Sequence, residues 1–296
     1  MKKKNLTIML AGAMAAGMSA GSVQAAAAED ASGDLYVFIA ASLSNAMEDI
    51  QKDFNKEFNK EYPDVNILFN ADSSGTLQTQ IEEGSRCDVF FSAATKQMDA
   101  LVDEELADKD SVVDLLENKV VLIKPKDGET KVTGFENITD AENIALAGED
   151  VPVGQYSREI FKNLGIEDDI NKMEINEGKN VTEVLASVSE GSNEIGVVYA
   201  TDAASVADKV DIIAEAPAGS LETPVLYPAG LIVDSEASDS ESAAAKAFLE
   251  YLQTDGAMKV FEEYGFAQYK AEDEKEAAEE TDADTAEETE ATEETK

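Results

Sequence analysis

Residues 38–46 read FIAASLSNA: an apolar run passes into alanines, serines and an asparagine without any charge, just ahead of a stretch with helical periodicity. A strand that meets a helix through small, neutral, hydrogen-bonding residues presents unpaired N–H groups and a partial positive charge, which is the chemistry of anion binding. Ser42 stands at that junction, and taken by itself its simplest role is an ordinary helix N-cap. In ADSSGTLQTQ (71–80), Ser73, Ser74 and Gly75 separate a second strand from a second helix. Glycine there lets backbone come close to a ligand, although a plain serine–glycine turn accounts for the pattern equally well. In EDVPVGQY (149–156), Pro152 has no donor, so Val153 offers the first free N–H of a helix carrying Tyr156, Ile160, Phe161 and Leu164. In KNVTEVLASV (179–188), Asn180 and Glu183 have capping-box spacing, and Val181, Val184, Leu185 and Val188 form an apolar stripe. The Val181 N–H then points out of the first turn. Each junction is a helix beginning whether or not it holds an anion, and the two readings are compatible.

Catalysis has little to build on. The chain contains no histidine, which removes Ser-His-Asp and Cys-His arrangements. There is no G-x-S-x-G, and NEGKN lacks the rest of a phosphate-binding loop. The sequence therefore reads as a binding protein rather than an enzyme, with no cofactor and no cation-binding metal site expected. A serine–lysine hydrolase and a surface interaction module remain the rivals from other classes.

Alternating strands and helices position these junctions. DLYVFIA (34–40), VNILFNA (65–71) and DVFFSA (88–93) read as strands, the first a continuous apolar run as expected when both faces are covered. The helix after the first strand carries Leu43, Ala46, Met47, Ile50, Phe54 and Phe58 on one face. KVVLIKP (119–125), NIALAG and EIGVVYA (194–200) continue the series; TPVLYPAGLIVD (223–234) leads to a C-terminal helix. Such alternation builds open, mostly parallel sheets that bind ligands at the carboxyl ends of their strands. The length suits two lobes better than one.

Residues 1–28 have the layout of an export signal: lysines, an apolar small-residue run, then VQA. The mature chain is expected to start between Ala26 and Asp30, outside the cytoplasm, and no cysteine follows the run to take a lipid. Cys87 is the only cysteine, so there is no internal disulfide, and it reads as a small buried hydrophobe. The formal charge is −40. Only part of it sits in the acidic segment 271–296, which has almost nothing to bury and reads as a disordered spacer. So acidic a body argues against nucleic acid as a partner.

FIAASLSNAM, SSGTLQTQIEEG, DVFFSA, VPVGQY, GVVYATDA and VFEEYGF occur in the order and at about the spacing seen in periplasmic molybdate-binding proteins of ABC importers. Over residues 34–268 the chain resembles that family. The resemblance implies the type II periplasmic-binding-protein fold: two α/β lobes, each a mostly parallel sheet flanked by helices, with the ligand in the cleft between them. Lobe one would comprise 30–117 plus 230–270, and lobe two 118–229. The implied ligands are the hydroxyl and N–H of Ser42 and of Ser74, the backbone N–H of Val153 and of Val181, and the Tyr199 hydroxyl. Without the resemblance, Tyr199 reads as a strand-end tyrosine with its ring in the core and its hydroxyl wet. The implied guest is molybdate or tungstate, with sulfate or another tetrahedral oxyanion as the alternative. The implied partner is the membrane permease of an ABC importer, served by a monomer. Two departures stand out. Asp72 occupies a place where a small neutral residue is usual, and GSRCD (84–88) replaces an alanine–proline pair. Beside a dianion, Asp72 must either face away or pair with a cation such as Arg86.

Overall fold

The computed structural model describes residues 33–57, 65–234 and 237–270. The expected leader (1–28), the acidic segment (271–296) and Phe58 lie outside the described residues. Strand β1 (Gly33–Ala40) is buried from Val37 onward, and β3 (Val89–Phe91) throughout. β1 pairs in parallel with β2 (Val65–Asp72) on one side and with β3 on the other. Parallel neighbours require crossovers, supplied by α1 (Ser44–Glu57) and α2 (Ser74–Glu82). On α1, Ala46, Met47, Ile50 and Phe54 recur at helical spacing and are all buried. Phe54 meets Phe248 and Tyr251 of α8 (Asp239–Leu252) edge-on, with ring centroids 5.2 and 5.1 Å apart. Burying a side chain of this size stabilises the lobe by roughly 1.5–3 kcal/mol. Cys87 is buried among Phe38, Leu77 and Ile81 on the other face of the sheet, and burial pushes its thiol well above the usual range.

The first sheet has the order β11 (Ala267–Gln268), β4 (Val113–Asn118), β10 (Val225–Leu231), β3, β1, β2. The second runs β7 (Glu174–Gly178), β6 (Asn143–Ala147), β8 (Ile195–Tyr199), β5 (Val120–Pro125), β9 (Val210–Glu215). The chain passes from the first sheet to the second between Asn118 and Val120 and is back in the first by Val225, ahead of residue 230 where the sequence suggested the return. Two α/β lobes result. Their sheets are mixed rather than mostly parallel: β6 runs parallel to β7 and β8, but β5 is antiparallel to β8 and β9, and β10 is antiparallel to β3 and β4. β5 and β10, the strands by which the chain enters each lobe from the other, start beside the carboxyl ends of β8 and β4 and so run backwards. Within β10 the register shifts between Tyr227 and Pro228. Proline cannot donate to a ladder, and such an irregularity re-aims the neighbouring side chain. No helix among the described residues is long and apolar enough to cross a membrane.

Candidate functional site

The carboxyl ends of β1, β2 and β3 face those of β6, β7 and β8, and between them lies a small cavity. It encloses about 210 Å³ of atom-free space, mouth included. Ser42, Ser74, Val153, Val181 and Tyr199 all line it, so the structure brings every sequence-predicted site residue to one place. Ser73, Ala93, Pro152 and Asn180 complete much of the wall, and every lining residue is uncharged.

Each position is set by its local fold. Ser42 is the middle residue of a 3₁₀ turn, Ala41–Leu43, and does not cap α1. Its hydroxyl lies 3.0 Å from that of Tyr227 instead. At the second junction the two serines have divided roles. Ser73 is the N-cap: its Oγ accepts from Thr76 N–H at 3.1 Å and donates to Thr76 Oγ1 at 2.8 Å. Ser74 begins the helix, is wholly buried, and its Oγ accepts from Ala93 N–H at 3.0 Å. The first intrahelical bond of α2 comes from Leu77 N–H to Ser73 O, so the Ser74 N–H lies ahead of the ladder.

In the second lobe, α4 (Pro152–Asn163) starts with Pro152, and its ladder begins at Gln155 N–H to Val151 O, 2.9 Å, leaving Val153 ahead of it. The helix start is pressed onto the end of β6. A Cβ on Gly154 would fall 2.1 Å from Gly148 O and 2.5 Å from Ala147 O. Arg158 reinforces that approach by donating to Ala147 O and Gly154 O, both at 2.9 Å. Asn180 caps α6 (Val181–Ser189) by accepting from Glu183 N–H at 3.0 Å, while the Glu183 carboxylate reaches back to Lys179 N–H rather than to the cap residue. Three helix N-termini thus aim unpaired N–H groups and positive dipole ends at one cavity. Tyr199 ends β8 at 1 % exposure, and its hydroxyl has no hydrogen-bond partner. Burial raises this hydroxyl well above the ordinary tyrosine range, so it keeps its proton and acts as a donor.

The lobes touch around the cavity. Asn180 Nδ2 donates to Asp72 Oδ1 at 3.2 Å, and the same oxygen accepts from Ser73 N–H at 2.7 Å. Asp72 is therefore satisfied by an amide across the cleft. Arg86 is engaged elsewhere, with Glu241 at 2.6 Å and stacked on the Tyr36 ring. Gln97 of α3 (Thr95–Asp103) donates to Gln155 Oε1 at 3.3 Å. Gly75 allows the closest approach: a Cβ there would lie 2.1 Å from Asp150 O.

Residues 35–267 match the family model described as bacterial extracellular solute-binding protein. The chain belongs to that family. Among its relatives is YvgL of Bacillus subtilis, described as a candidate ABC transporter substrate-binding lipoprotein, at 45% identity over 68% of this chain and 75% of the relative. The molybdate-binding protein ModA of Haemophilus influenzae is 35% identical over 69% of this chain and 80% of its own. The fold of the Azotobacter vinelandii periplasmic molybdate-binding protein superposes with a TM-score of 0.68 at 23% identity, over 80% of this chain and all (100%) of that one. As a solute-binding protein the chain works outside the cytoplasm, where its sequence placed it.

Sequence reasoning missed the residues behind the cavity wall of this solute-binding protein. Asn118 Nδ2 donates to Tyr227 Oη at 3.1 Å and to Thr201 Oγ1 at 2.9 Å, joining the two lobes at their crossing. Tyr227 is fully buried and meets the Tyr199 ring edge-on, centroids 5.7 Å apart. The one local signal was the Tyr-Pro pair inside an otherwise apolar strand. Asp202, in α7 (Ala200–Ser205), is also buried; burial raises its carboxyl to about 7, against a hydrogen bond from the Tyr199 backbone.

Proposed function

We propose that this solute-binding protein captures molybdate, and tungstate with it, as a fully deprotonated dianion and delivers it to the membrane permease of an ABC importer. The observation that carries the reading is the buried Tyr199 hydroxyl, a donor without an acceptor, in a wall of uncharged residues. An unmet donor in so dry a place costs about 1–3 kcal/mol, which an oxyanion in the cavity would recover. The ligands are Ser42 and Ser74 through hydroxyl and N–H, Val153 and Val181 through N–H, and Tyr199 through its hydroxyl. Molybdate, tungstate and sulfate only accept hydrogen bonds near neutral pH, and donors suit them. Monohydrogen phosphate also brings a proton that needs an acceptor, and the backbone N–H groups at the helix starts offer it none. Each hydrogen bond to the charged guest contributes ~1.5–3 kcal/mol, so binding needs no lysine or arginine. The chain acts by binding alone, without cofactor or turnover, and as a monomer.

Competition titration followed by tyrosine fluorescence tests the reading. Molybdate and tungstate are expected to bind at least ~10-fold tighter than sulfate, a gap of about 1.4 kcal/mol, with phosphate showing no saturable signal. Sulfate binding as tightly as molybdate would reassign the cargo. Ser74→Ala removes a donor whose oxygen already serves Ala93, and is expected to weaken molybdate binding by roughly 10- to 100-fold, the loss of one charge-assisted hydrogen bond. Equal affinity by isothermal titration would exclude Ser74 as a ligand.

A further inference from the structure

A serine hydroxyl can donate or accept, so a wall containing two serines does not by itself reject a protonated guest. What matters is which way each hydroxyl proton points. At Ser74 the Ala93 N–H takes one lone pair of the oxygen at 3.0 Å, and the hydroxyl proton is left to point elsewhere. At Ser42 the partner is Tyr227 Oη at 3.0 Å, a contact in which either group could donate. The direction is decided one residue further back. Asn118 Oδ1 accepts from Lys119 N–H at 2.8 Å, which fixes the orientation of the amide. Its NH₂ must then face the hydroxyls, and it donates to Tyr227 Oη and Thr201 Oγ1. With its oxygen accepting from Asn118, the buried Tyr227 hydroxyl needs an acceptor for its own proton, and Ser42 Oγ lies 3.0 Å away.

We infer that Tyr227, oriented by Asn118, is a positioning residue that locks Ser42 as a proton donor toward the cavity and so biases this chain against oxyanions carrying a proton. The inference rests on the reading of the cavity as an oxyanion site and assigns its proton selectivity to a group that does not touch the guest. Tyr227 reaches this place because the register of β10 shifts beside Pro228.

Sulfate and monohydrogen phosphate are close in size and differ by a proton, so their affinity ratio isolates this effect from cavity size. In Tyr227→Phe the ring stays and Ser42 regains a lone pair. Sulfate affinity is expected to fall no more than about fivefold, while phosphate becomes measurable and the sulfate-to-phosphate ratio narrows at least tenfold. Asn118→Asp offers Tyr227 an acceptor and draws its proton away from Ser42; the same narrowing is expected there, with a larger loss of molybdate and sulfate affinity. Thermal unfolding of each unliganded variant serves as the control for folding. A ratio that stays constant in the variants, both anions weakening by one factor or neither changing, overturns the inference while leaving the oxyanion site in place. A wild-type chain that takes up neither molybdate nor sulfate overturns the site and this inference together.

Discussion

Gly75→Ala is expected to lower molybdate affinity by at least ~100-fold, about 2.7 kcal/mol, with the unliganded protein as stable as the wild type. The added Cβ would lie 2.1 Å from the Asp150 carbonyl oxygen, and real Cβ contacts stay above 3.0 Å, so the groups must separate by close to 1 Å. Asp150 belongs to the other lobe, so the movement is available at the hinge: the lobes stand apart and neither core is disturbed. The guest then keeps Ser42 and Ser74 but loses reach to Val153, Val181 and Tyr199. Hydrogen bonds weaken steeply with such displacement. Gly154 supplies the contrast. Its Cβ would also come within 2.1 Å of a carbonyl, that of Gly148, but in its own lobe, where α4 sits on the end of β6. No hinge relieves that clash, and Gly154→Ala is expected to destabilise the fold itself. Small-angle scattering with and without molybdate, beside thermal unfolding, separates the cases. A Gly75→Ala protein that contracts on ligand and binds like wild type would show that the cleft does not close to the distance described.

Helix beginnings were legible where caps and prolines are local chemistry: Pro152 and Asn180 each announce a first turn in the sequence and make one in the fold, whereas Ser42, which reads as a cap by itself, sits inside a 3₁₀ turn. The strands legible as continuous apolar runs include those buried on both faces, such as β8 and β10. β7 escaped because EINEG carries a single apolar side chain and only Gly178 is buried, and β9 is only partly buried. Tyr199 could be placed only by resemblance, since nothing in a strand-end tyrosine says whether its hydroxyl is wet or orphaned. Tyr227 and Asn118 were invisible for a geometric reason. The contacts that give them meaning join residues 185 and 109 positions apart, and no local pattern encodes them. Asp72 shows the converse error. A cation was sought for it by charge, but the amide that satisfies it sits on a helix cap already recognised for another purpose.

Replacing Asp202 by asparagine is expected to stabilise the protein by roughly 3–4 kcal/mol above pH 8 and to change little near pH 4. Burial raises the Asp202 carboxyl from its usual 3.8 to about 7, and the hydrogen bond from the Tyr199 backbone opposes that shift without cancelling it. A carboxyl with a raised folded-state value binds its proton more tightly folded than unfolded. Its penalty is absent below the unfolded value, grows as pH rises from about 4 to about 7, and is complete above that. Wild-type stability should therefore rise on this account as pH falls from 7 toward 4. The exposed acids held low, Glu241 by the Ser238 backbone and hydroxyl and by Arg86, and Asp211 by Lys126 and Lys124, lose their contributions only as pH falls below about 4. The two windows barely overlap, so the difference between wild type and Asp202→Asn isolates this one group. Denaturant unfolding across pH 4–9 checks it: parallel curves would mean that Asp202 is solvated and ionised throughout. The same balance links the carboxyl to the cargo. Asp202 lies in the first turn of α7, behind Tyr199, and a dianion arriving at the Tyr199 hydroxyl repels a buried carboxylate there and favours its neutral form. Molybdate binding near pH 7 then takes up protons in the wild type and takes up fewer in Asp202→Asn, which calorimetry in buffers of different ionisation enthalpy would register.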